Sequence, residues 1–241
     1  MYNPRSAREP ISSRVLFGAI LKANLMIKKF LKRVFRKSAK TKTVGNAQVI
    51  PFDVHGVART SLSYGANKVC DGLQAAGFEA YVVGGAVRDL LLAKTPKDFD
   101  VATDATPEQV RRVFRRSRII GRRFRLVHVM FGEEVVEVST FRRMIEAEDA
   151  QTDAHGRLLR DNEFGDQEQD AARRDFTANA LFYDPNTQEI FDYHDGYADT
   201  RDGVLRMIGD PMVRYREDPV RMLRAVRLSA KLGIKLDAAT A

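Results

Sequence analysis

The stretch Glu79-Ala-Tyr-Val-Val-Gly-Gly-Ala-Val-Arg-Asp-Leu-Leu-Leu-Ala93 predicts a short apolar strand, a glycine pair and a helix in immediate succession. Gly84 and Gly85 would let backbone N–H groups approach a phosphate, and the start of the following helix favours anions. Arg88 lies one turn into that helix, within reach of a phosphate oxygen. An isolated Gly-Gly pair more often marks a tight turn, so this interpretation depends on the residues around it.

A pair of aspartates follows on the next predicted strand, which covers Phe99-Asp-Val-Ala102. Residues i and i+2 of a strand point to the same face, so Asp98 and Asp100 converge while Phe99 turns into the core. Two like charges held this close repel each other, and a divalent cation is the usual compensation. Phosphoryl transfer with bound metal ions needs such carboxylates. Taken alone, an Asp-x-Asp pattern is weak, and a solvated turn is its structural alternative.

A third group of charged residues opens the segment Arg173-Arg-Asp-Phe-Thr-Ala-Asn-Ala180. Arg173 and Arg174 could neutralise the charge of a triphosphate, and Asp175 could orient a metal ion or a ribose. The alternative is an exposed pair of arginines at a helix start with Asp175 as a local cap. Glu137, on the predicted strand Val135–Thr140, is a candidate third carboxylate or a solvent-facing strand residue.

The fourth group lies in Arg216-Glu-Asp-Pro-Val-Arg-Met-Leu-Arg224. Asp218 followed by a proline is a helix start in its own right, because the aspartate caps and the proline fits the first position. Arg221 and Arg224 are not explained by capping, and their i,i+3 spacing places them on one face. An Asp acceptor beside an Arg donor can read the edge of adenine or of cytosine. His128, inside an apolar strand, is interpreted as a core residue.

The remaining pattern predicts an α/β (α+β) head with a mixed sheet and flanking helices, followed by the start of a helical neck. A helix should begin near Ser61 or Ser63, bury Ala76 among other residues, and stop at Gly77. Thr106 and Gln109 predict a capping box. Further predictions are strands over 126–131 and 135–140, a mobile loop over 142–160, and a helix from Asp218 to Leu232.

Charge divides the chain unevenly. The net charge is +8, yet residues 10–52 carry ten Lys and Arg and no Asp or Glu. Apolar residues between Ile27 and Phe35 recur at helical spacing among lysines and arginines, a pattern typical of a basic amphipathic helix. Such a helix can contact RNA or an anionic membrane surface or serve as a transit peptide, and the alternative is a solvated tail without a fixed partner. We therefore predict a largely disordered basic extension and linker over 1–60, a catalytic head over 61–200 and the neck over 201–241.

The four groups in this order resemble the class II nucleotidyltransferase family, which comprises bacterial poly(A) polymerases and CCA-adding tRNA enzymes. The matching stretches are Val82–Leu92, Asp98–Asp100, Arg173–Ala180 and Glu217–Arg221 with Arg224. The resemblance implies that Asp98 and Asp100 hold catalytic Mg²⁺ and that Asp175 is a further active-site carboxylate. It implies triphosphate contacts from Gly85, Arg88 and Arg174, and base recognition by Asp218 and Arg221, supported by Arg224.

Two further segments, Ile119–Val129 and Leu159–Phe164, resemble the poly(A) polymerase branch. The implied function is transfer of AMP from ATP to RNA 3′ ends with release of pyrophosphate, in the bacterial cytoplasm or at the periphery of its membrane. The alternatives are a CCA-adding enzyme and a catalytically idle RNA-binding relative. Family members continue through a larger helical body, so the chain is expected to be a fragment or a truncated product.

Overall fold

The computed structural model describes residues 42–121, 125–144 and 163–241, and Thr41–Ala241 form one compact unit. The basic helix predicted between residues 27 and 37 lies outside the described residues. Most of the loop predicted over 142–160 lies outside them as well. None of the helices in the described ranges is long and apolar enough to cross a membrane.

A mixed β-sheet forms the centre of the described structure. Its strands lie in the order β1-β2-β9-β8-β3-β4-β7-β6-β5, and β4 and β7 are its one parallel pair within the described ranges. A parallel pair between β10 and β11 forms a small second sheet. The strands are β1 (Lys42–Val44), β2 (Ala47–Ile50), β3 (Ala80–Val83), β4 (Asp100–Thr103), β5 (Ser117–Ile120), β6 (Leu126–Phe131), β7 (Glu134–Thr140), β8 (Leu181–Asp184), β9 (Glu189–Asp192), β10 (Val204–Leu205) and β11 (Lys235–Leu236).

Eight described helices flank the sheet. They are α1 (Phe52–His55), α2 (Tyr64–Ala75), α3 (Gly85–Leu91), α4 (Pro107–Val113), α5 (Gln167–Ala172), α6 (Gly196–Asp202), α7 (Pro211–Glu217) and α8 (Val220–Leu232). Short 3₁₀ turns cover Arg59–Ser61 and Thr177–Asn179. The mixed sheet with flanking helices confirms the predicted fold class.

Local signals decide where the helices begin and end. The Ser63 side chain accepts a hydrogen bond from the Ala66 amide at the start of α2, as predicted. Thr106 and Gln109 form the predicted capping box of α4. The backbone leaves α2 through Gly77, whose φ of +86° suits glycine. Ala76, predicted to be buried, is exposed because it follows the last turn of the helix.

The two faces of the sheet are covered differently. Helices α2, α3 and α4 pack on one face against alternate strand residues, which include Val101 in β4, Val129 in β6 and Val138 in β7. The opposite face has a smaller core under α5 that includes Ala102 and Phe182. This smaller core takes residues from β3, β4, β8 and β9 and none from the described parts of β5 and β6. Within the described ranges, the second face is therefore open over β6 and β5.

The C-terminal residues form a third core beside the sheet. Met207 of the segment after β10, and Ala225, Leu228 and Leu232 of α8, pack around Phe176. Phe176 directly follows Asp175, so this core fixes α8 relative to the predicted site. Helices α7 and α8 still expose several large apolar side chains, which are Met212, Val213, Val220, Met222, Leu223 and Val226.

The structure corrects three sequence predictions. The predicted linker over 38–60 is wrong for its described part, because β2 pairs with β9 and closes one side of the sheet. The helix predicted from Asp218 begins at Val220, and Asp218 instead separates α7 from α8. Strand β5 and helices α5 to α7 were not predicted, since each is short and gives little periodic signal.

Candidate active site

Two carboxylates lie side by side on the open face of the sheet. Asp100 of β4 is paired directly with Glu137 of β7 in the parallel register, so both side chains leave the same face. Solvent reaches part of Asp100, but the surrounding atoms still desolvate its carboxylate. This desolvation and the repulsion from Glu137 and Asp98 raise the pKa of Asp100 to about 6, although Arg174 acts in the opposite direction. A carboxylate under this repulsion is stabilised by a cation.

Asp98 is exposed and lies two residues before β4, which begins at Asp100, one residue later than the predicted Phe99. Among the described residues, no group of three or more His, Cys, Asp or Glu side chains is arranged to hold a metal ion. Magnesium is commonly held by one or two protein carboxylates together with substrate phosphates, so this observation is compatible with it. The oxygen donors of Asp98 and Asp100 and their mutual repulsion fit such an ion.

The glycine turn lies next to the carboxylates. Gly84 has φ +71° and ψ −132°, a conformation that glycine adopts without strain. A Cβ atom on residue 84 would lie 3.4 Å from Nη1 of Arg174, so the glycine also allows the close approach of that guanidinium. Arg88 is buried and its guanidinium donates to Asp89 and Asn179. Its contacts within the protein make it a support for the turn.

A buried aspartate organises the two arginines that follow α5. Asp170 is fully buried, and its oxygens lie 2.6 Å from Nη2 of Arg173 and 2.8 Å from Nη2 of Arg174. Burial alone would raise the pKa of Asp170, but Arg174 and Arg173 lower it below its ordinary value. The guanidinium of Arg174 also lies over the ring of Phe182, 5.1 Å from its centroid. The predicted helix-start pair is in fact at a helix end.

Asp175 joins this region to α8. Its Oδ1 accepts hydrogen bonds from the Phe176 amide (2.8 Å) and from Nδ2 of Asn179 (2.9 Å). Its Oδ2 lies 2.6 Å from Nη2 of Arg224 and accepts from Nε at 2.7 Å. Both oxygens are thus engaged by the protein, so in this structure Asp175 positions Arg224.

The start of α8 holds the candidate base-recognition residues. Asp218 accepts a hydrogen bond from the Val220 amide at 3.1 Å, a local contact of the kind that the sequence predicted, although Asp218 stands one residue before the N-cap, Pro219. Arg221 donates to Oε2 of Glu217 at 2.9 Å and to the carbonyl oxygen of Arg214 at 3.0 Å. The second carboxylate oxygen of Asp218 has no hydrogen-bond partner among the described residues.

These residues line a single open cavity of about 660 Å³. Of the predicted site residues, the cavity wall includes Gly84, Gly85, Arg88, Asp100, Glu137, Arg174, Asp175, Asp218, Arg221 and Arg224. Asp98 lies outside the wall, although its charge acts on Asp100. The cavity wall thus combines the carboxylates of Asp100 and Glu137 with the guanidinium groups of Arg174, Arg221 and Arg224, a combination suited to a bound polyanion with its metal ion.

Comparison with known proteins identifies the family. The sequence profile described as the poly A polymerase head domain matches residues 80–206, more than half of the chain. The chain belongs to the poly(A) polymerase head-domain family. The resemblance to class II nucleotidyltransferases, which rested on the four groups of sequence motifs, is confirmed.

Individual relatives of this head domain fall into two groups. Poly(A) polymerase I of Escherichia coli O6:H1 is 55% identical over 198 residues, which are 80% of this chain and 43% of that protein. The CCA-adding enzyme of Lactobacillus helveticus is 40% identical over 175 residues, 73% of this chain and 42% of that protein. The crystal structure of the Bacillus stearothermophilus CCA-adding enzyme in complex with CTP matches with a TM-score of 0.61 and 36% identity, over 73% of this chain and 40% of that one. The chain spans less than half the length of these relatives.

Sequence reasoning missed two residues around the cavity, Asp170 and Arg214, and misinterpreted a third, His128. The i,i+3 and i,i+4 spacing of Asp170 to the two arginines was a readable signal for the buried ion pair. Arg214 is buried in α7 and donates to the carbonyl oxygens of Arg173 and Arg174, both at 2.7 Å, a long-range contact without a local signal. The interpretation of His128 as a core residue is wrong: it is partly exposed on the carboxylate face, with Nε2 3.7 Å from Oε2 of Glu137.

The contact between Asp175 and Arg224 predicts a measurable coupling. Urea unfolding of Asp175→Asn, Arg224→Ala and the double variant should give a coupling energy of about 1 kcal/mol, because the ion pair joins α8 to the head. The value is modest because the Arg224 side chain is 51% exposed. Arg227→Ala is the control, since Arg227 lies on the same helix and has no ion-pair partner among the described residues. Additive effects of the two substitutions would contradict the contact.

Proposed function

We propose that the protein transfers AMP from ATP to the 3′ end of RNA, with the cavity between β4, β7 and α8 as its active site. The observation that carries this proposal is the direct pairing of Asp100 with Glu137 in the wall of a cavity that Arg174 and Arg224 also line. A triphosphate bound in this cavity would meet cationic groups together with carboxylates suited to metal binding.

Each group has a separate task in the proposed reaction. Asp98 and Asp100 would hold Mg²⁺, which supplies charge neutralisation at the reacting phosphate. Arg174, held in place by Asp170, would neutralise the phosphates beside the Gly84–Gly85 turn. The RNA 3′-hydroxyl attacks the α-phosphate and pyrophosphate leaves, so catalysis depends on positioning and on electrostatics more than on covalent chemistry. Glu137 is the candidate third carboxylate at the attacking side.

The start of α8 would select the base. The free oxygen of Asp218 can accept from the N6 amino group of adenine, and the Arg221 guanidinium can donate to N1. The same pair would also fit cytosine through its N4 amino group and N3. The greater similarity to poly(A) polymerase I than to CCA-adding enzymes supports ATP as the substrate.

The test is primer extension on an unstructured RNA and on a tRNA lacking its 3′ end. Each nucleotide is offered singly with magnesium. The assay uses the 241-residue chain and, where the reading frame continues, the longer protein as well. Long extension of the unstructured RNA with ATP alone is the expected result. Incorporation of CTP confined to the tRNA would support a CCA-adding enzyme instead.

The idle RNA-binding relative predicts a third outcome. In that case both the 241-residue chain and the longer protein would bind RNA without extending it, and Asp100→Asn would leave RNA binding unchanged. The presence of Asp100 and Glu137 in the cavity wall, with Asp98 near enough for its charge to act on Asp100, favours the enzyme over this alternative.

A further inference from the structure

A row of paired residues crosses the sheet from the carboxylates to its outer strand. Asp100 of β4 is paired with Glu137 of β7, Glu137 with His128 of β6, and His128 with Arg118 of β5. Directly paired residues in a sheet share a face. The neighbours of these residues along the strands, such as Val101, Val129 and Ile119, pack into the core on the other face. All four polar side chains therefore lie on the cavity face.

This part of the sheet face is exposed and mixed in character. Arg118 is exposed, and beside it Met130 and Val135 are 39% and 49% exposed. The carbonyl oxygen of Arg116 accepts a hydrogen bond from the Met130 amide, which places Arg116 two residues before Arg118 on the same face. The core on this face includes no described residue of β5 or β6. The exposed strip offers apolar contacts flanked by guanidinium groups.

Charge on this side of the sheet is strongly positive. Strand β5 and the segment just before it carry the exposed arginines Arg115, Arg116 and Arg118. None of these arginines has an ion-pair partner among the residues that the structure describes. Glu108, the one acidic residue between 107 and 121, is paired with Arg125. Such a surface is complementary to a polyanion, and phosphates are the groups that guanidinium ions bind best.

The geometry of the reaction decides which polyanion lies here. The groups assigned to the triphosphate, Gly84 and Arg174, lie on the β3 and β8 side of Asp100, since the Gly84 amide donates to the Leu181 carbonyl oxygen of β8 and the Arg174 guanidinium lies over the ring of Phe182 in the same strand. In phosphoryl transfer the attacking and leaving oxygens lie roughly in line. The attacking hydroxyl must therefore arrive from the opposite side of Asp100, where β7, β6 and β5 lie.

We propose that the 3′ segment of a single-stranded RNA approaches the active site across the open face of β5, β6 and β7. The Arg118 guanidinium binds backbone phosphates of this segment, and His128 lies beside its terminal nucleotide. Met130 and Val135 contact the bases without selecting among them, because their side chains offer no hydrogen bonds. This inference rests on the proposed function, because the direction of approach follows from the site of nucleotide binding.

The test compares RNA binding by Arg118→Ala and Arg111→Ala. Both substitutions remove one exposed arginine, but Arg111 belongs to α4, which packs on the opposite face of the sheet. Fluorescence anisotropy with a labelled oligoadenylate is measured in EDTA, without nucleotide, over a series of salt concentrations. The negative slope of log affinity against log salt should become shallower in Arg118→Ala by about 0.7 for each phosphate that the variant no longer binds. Over a tenfold range of salt this change corresponds to about fivefold in affinity.

Arg111→Ala should bind like the wild-type chain, and a charge-reversed Arg118→Glu should bind more weakly than Arg118→Ala. Equal slopes for Arg118→Ala and wild type, or an equally large weakening in Arg111→Ala, would overturn the proposed path. So would the absence of RNA binding by the wild-type chain. Extension assays separate the two proposals. If the wild type extends RNA and Arg118→Ala does so with an unchanged KM for RNA, only the proposed RNA path across β5, β6 and β7 is rejected. If Arg118→Ala binds RNA more weakly but neither the 241-residue chain nor the longer protein extends RNA, the proposed activity alone is rejected.

Discussion

Asp100→Asn is expected to lower the rate of nucleotide transfer at least about 10³-fold, because it removes one of the two carboxylates assigned to the metal ion. Such an ion contributes several kcal/mol of transition-state stabilisation. The fold should remain intact. Desolvation and the repulsion from Glu137 and Asp98 raise the pKa of Asp100, so the ionised side chain is itself unfavourable in the folded protein. The free energy of unfolding of Asp100→Asn should therefore equal or exceed that of the wild type.

Single-turnover extension of a labelled RNA with ATP measures the rate, and urea unfolding measures the stability of the same samples. Asp202→Asn is the matched control, because it also replaces an Asp by Asn, but in an exposed ion pair with Arg201 outside the cavity. It should retain full activity. An Asp100→Asn variant that extends RNA at the wild-type rate would rule out Asp100 as a metal ligand.

The sequence motifs located the cavity wall well, because each motif depends on local geometry. The turn at Gly84 and the strand that carries Asp100 follow directly from residue order and strand alternation. Capping by Ser63, Thr106 and Asp218 was equally readable, since a cap involves residues only two or three positions apart.

What the sequence did not reveal depends on pairing between distant segments. The contact of Glu137 with Asp100 requires the parallel register of β4 and β7, which no local pattern encodes. His128 stands in an apolar strand, yet half of that strand faces the open side of the sheet. Strand β2 was predicted to be linker because its four residues become ordered by pairing with β9, over 130 positions away in sequence.

The roles of the charged residues were the hardest to assign, because an arginine in a sequence does not show whether its partner is a ligand or a protein carboxylate. Arg88 and Arg221 were expected to face substrate, and the structure gives each of them protein partners as well. Asp175 was expected to act on a metal ion, whereas both its oxygens are engaged by protein donors. These contacts preorganise the cavity before any substrate is bound.

The buried ion pair below the cavity carries the largest expected effect on stability. Asp170→Asn should lower the free energy of unfolding by about 3 kcal/mol, because it leaves two partly buried guanidinium groups without their carboxylate. The partial exposure of Arg173 and Arg174 places the effect at the lower end of the range for buried pairs. Urea unfolding at neutral pH measures it. Glu168→Gln, an exposed change on the same helix, should alter stability by no more than about 0.5 kcal/mol.

The pH dependence of that difference tests its electrostatic origin. Burial works against the charge of Asp170, but Arg174 and Arg173 hold its pKa below the ordinary value of about 4. The stability that the ionised form contributes is therefore complete above about pH 4 and is lost as the pH falls through the folded-state value. The wild type and Asp170→Asn should converge in stability below about pH 4. A difference that stays constant down to acid pH would instead assign the effect to packing, because a change in shape does not titrate.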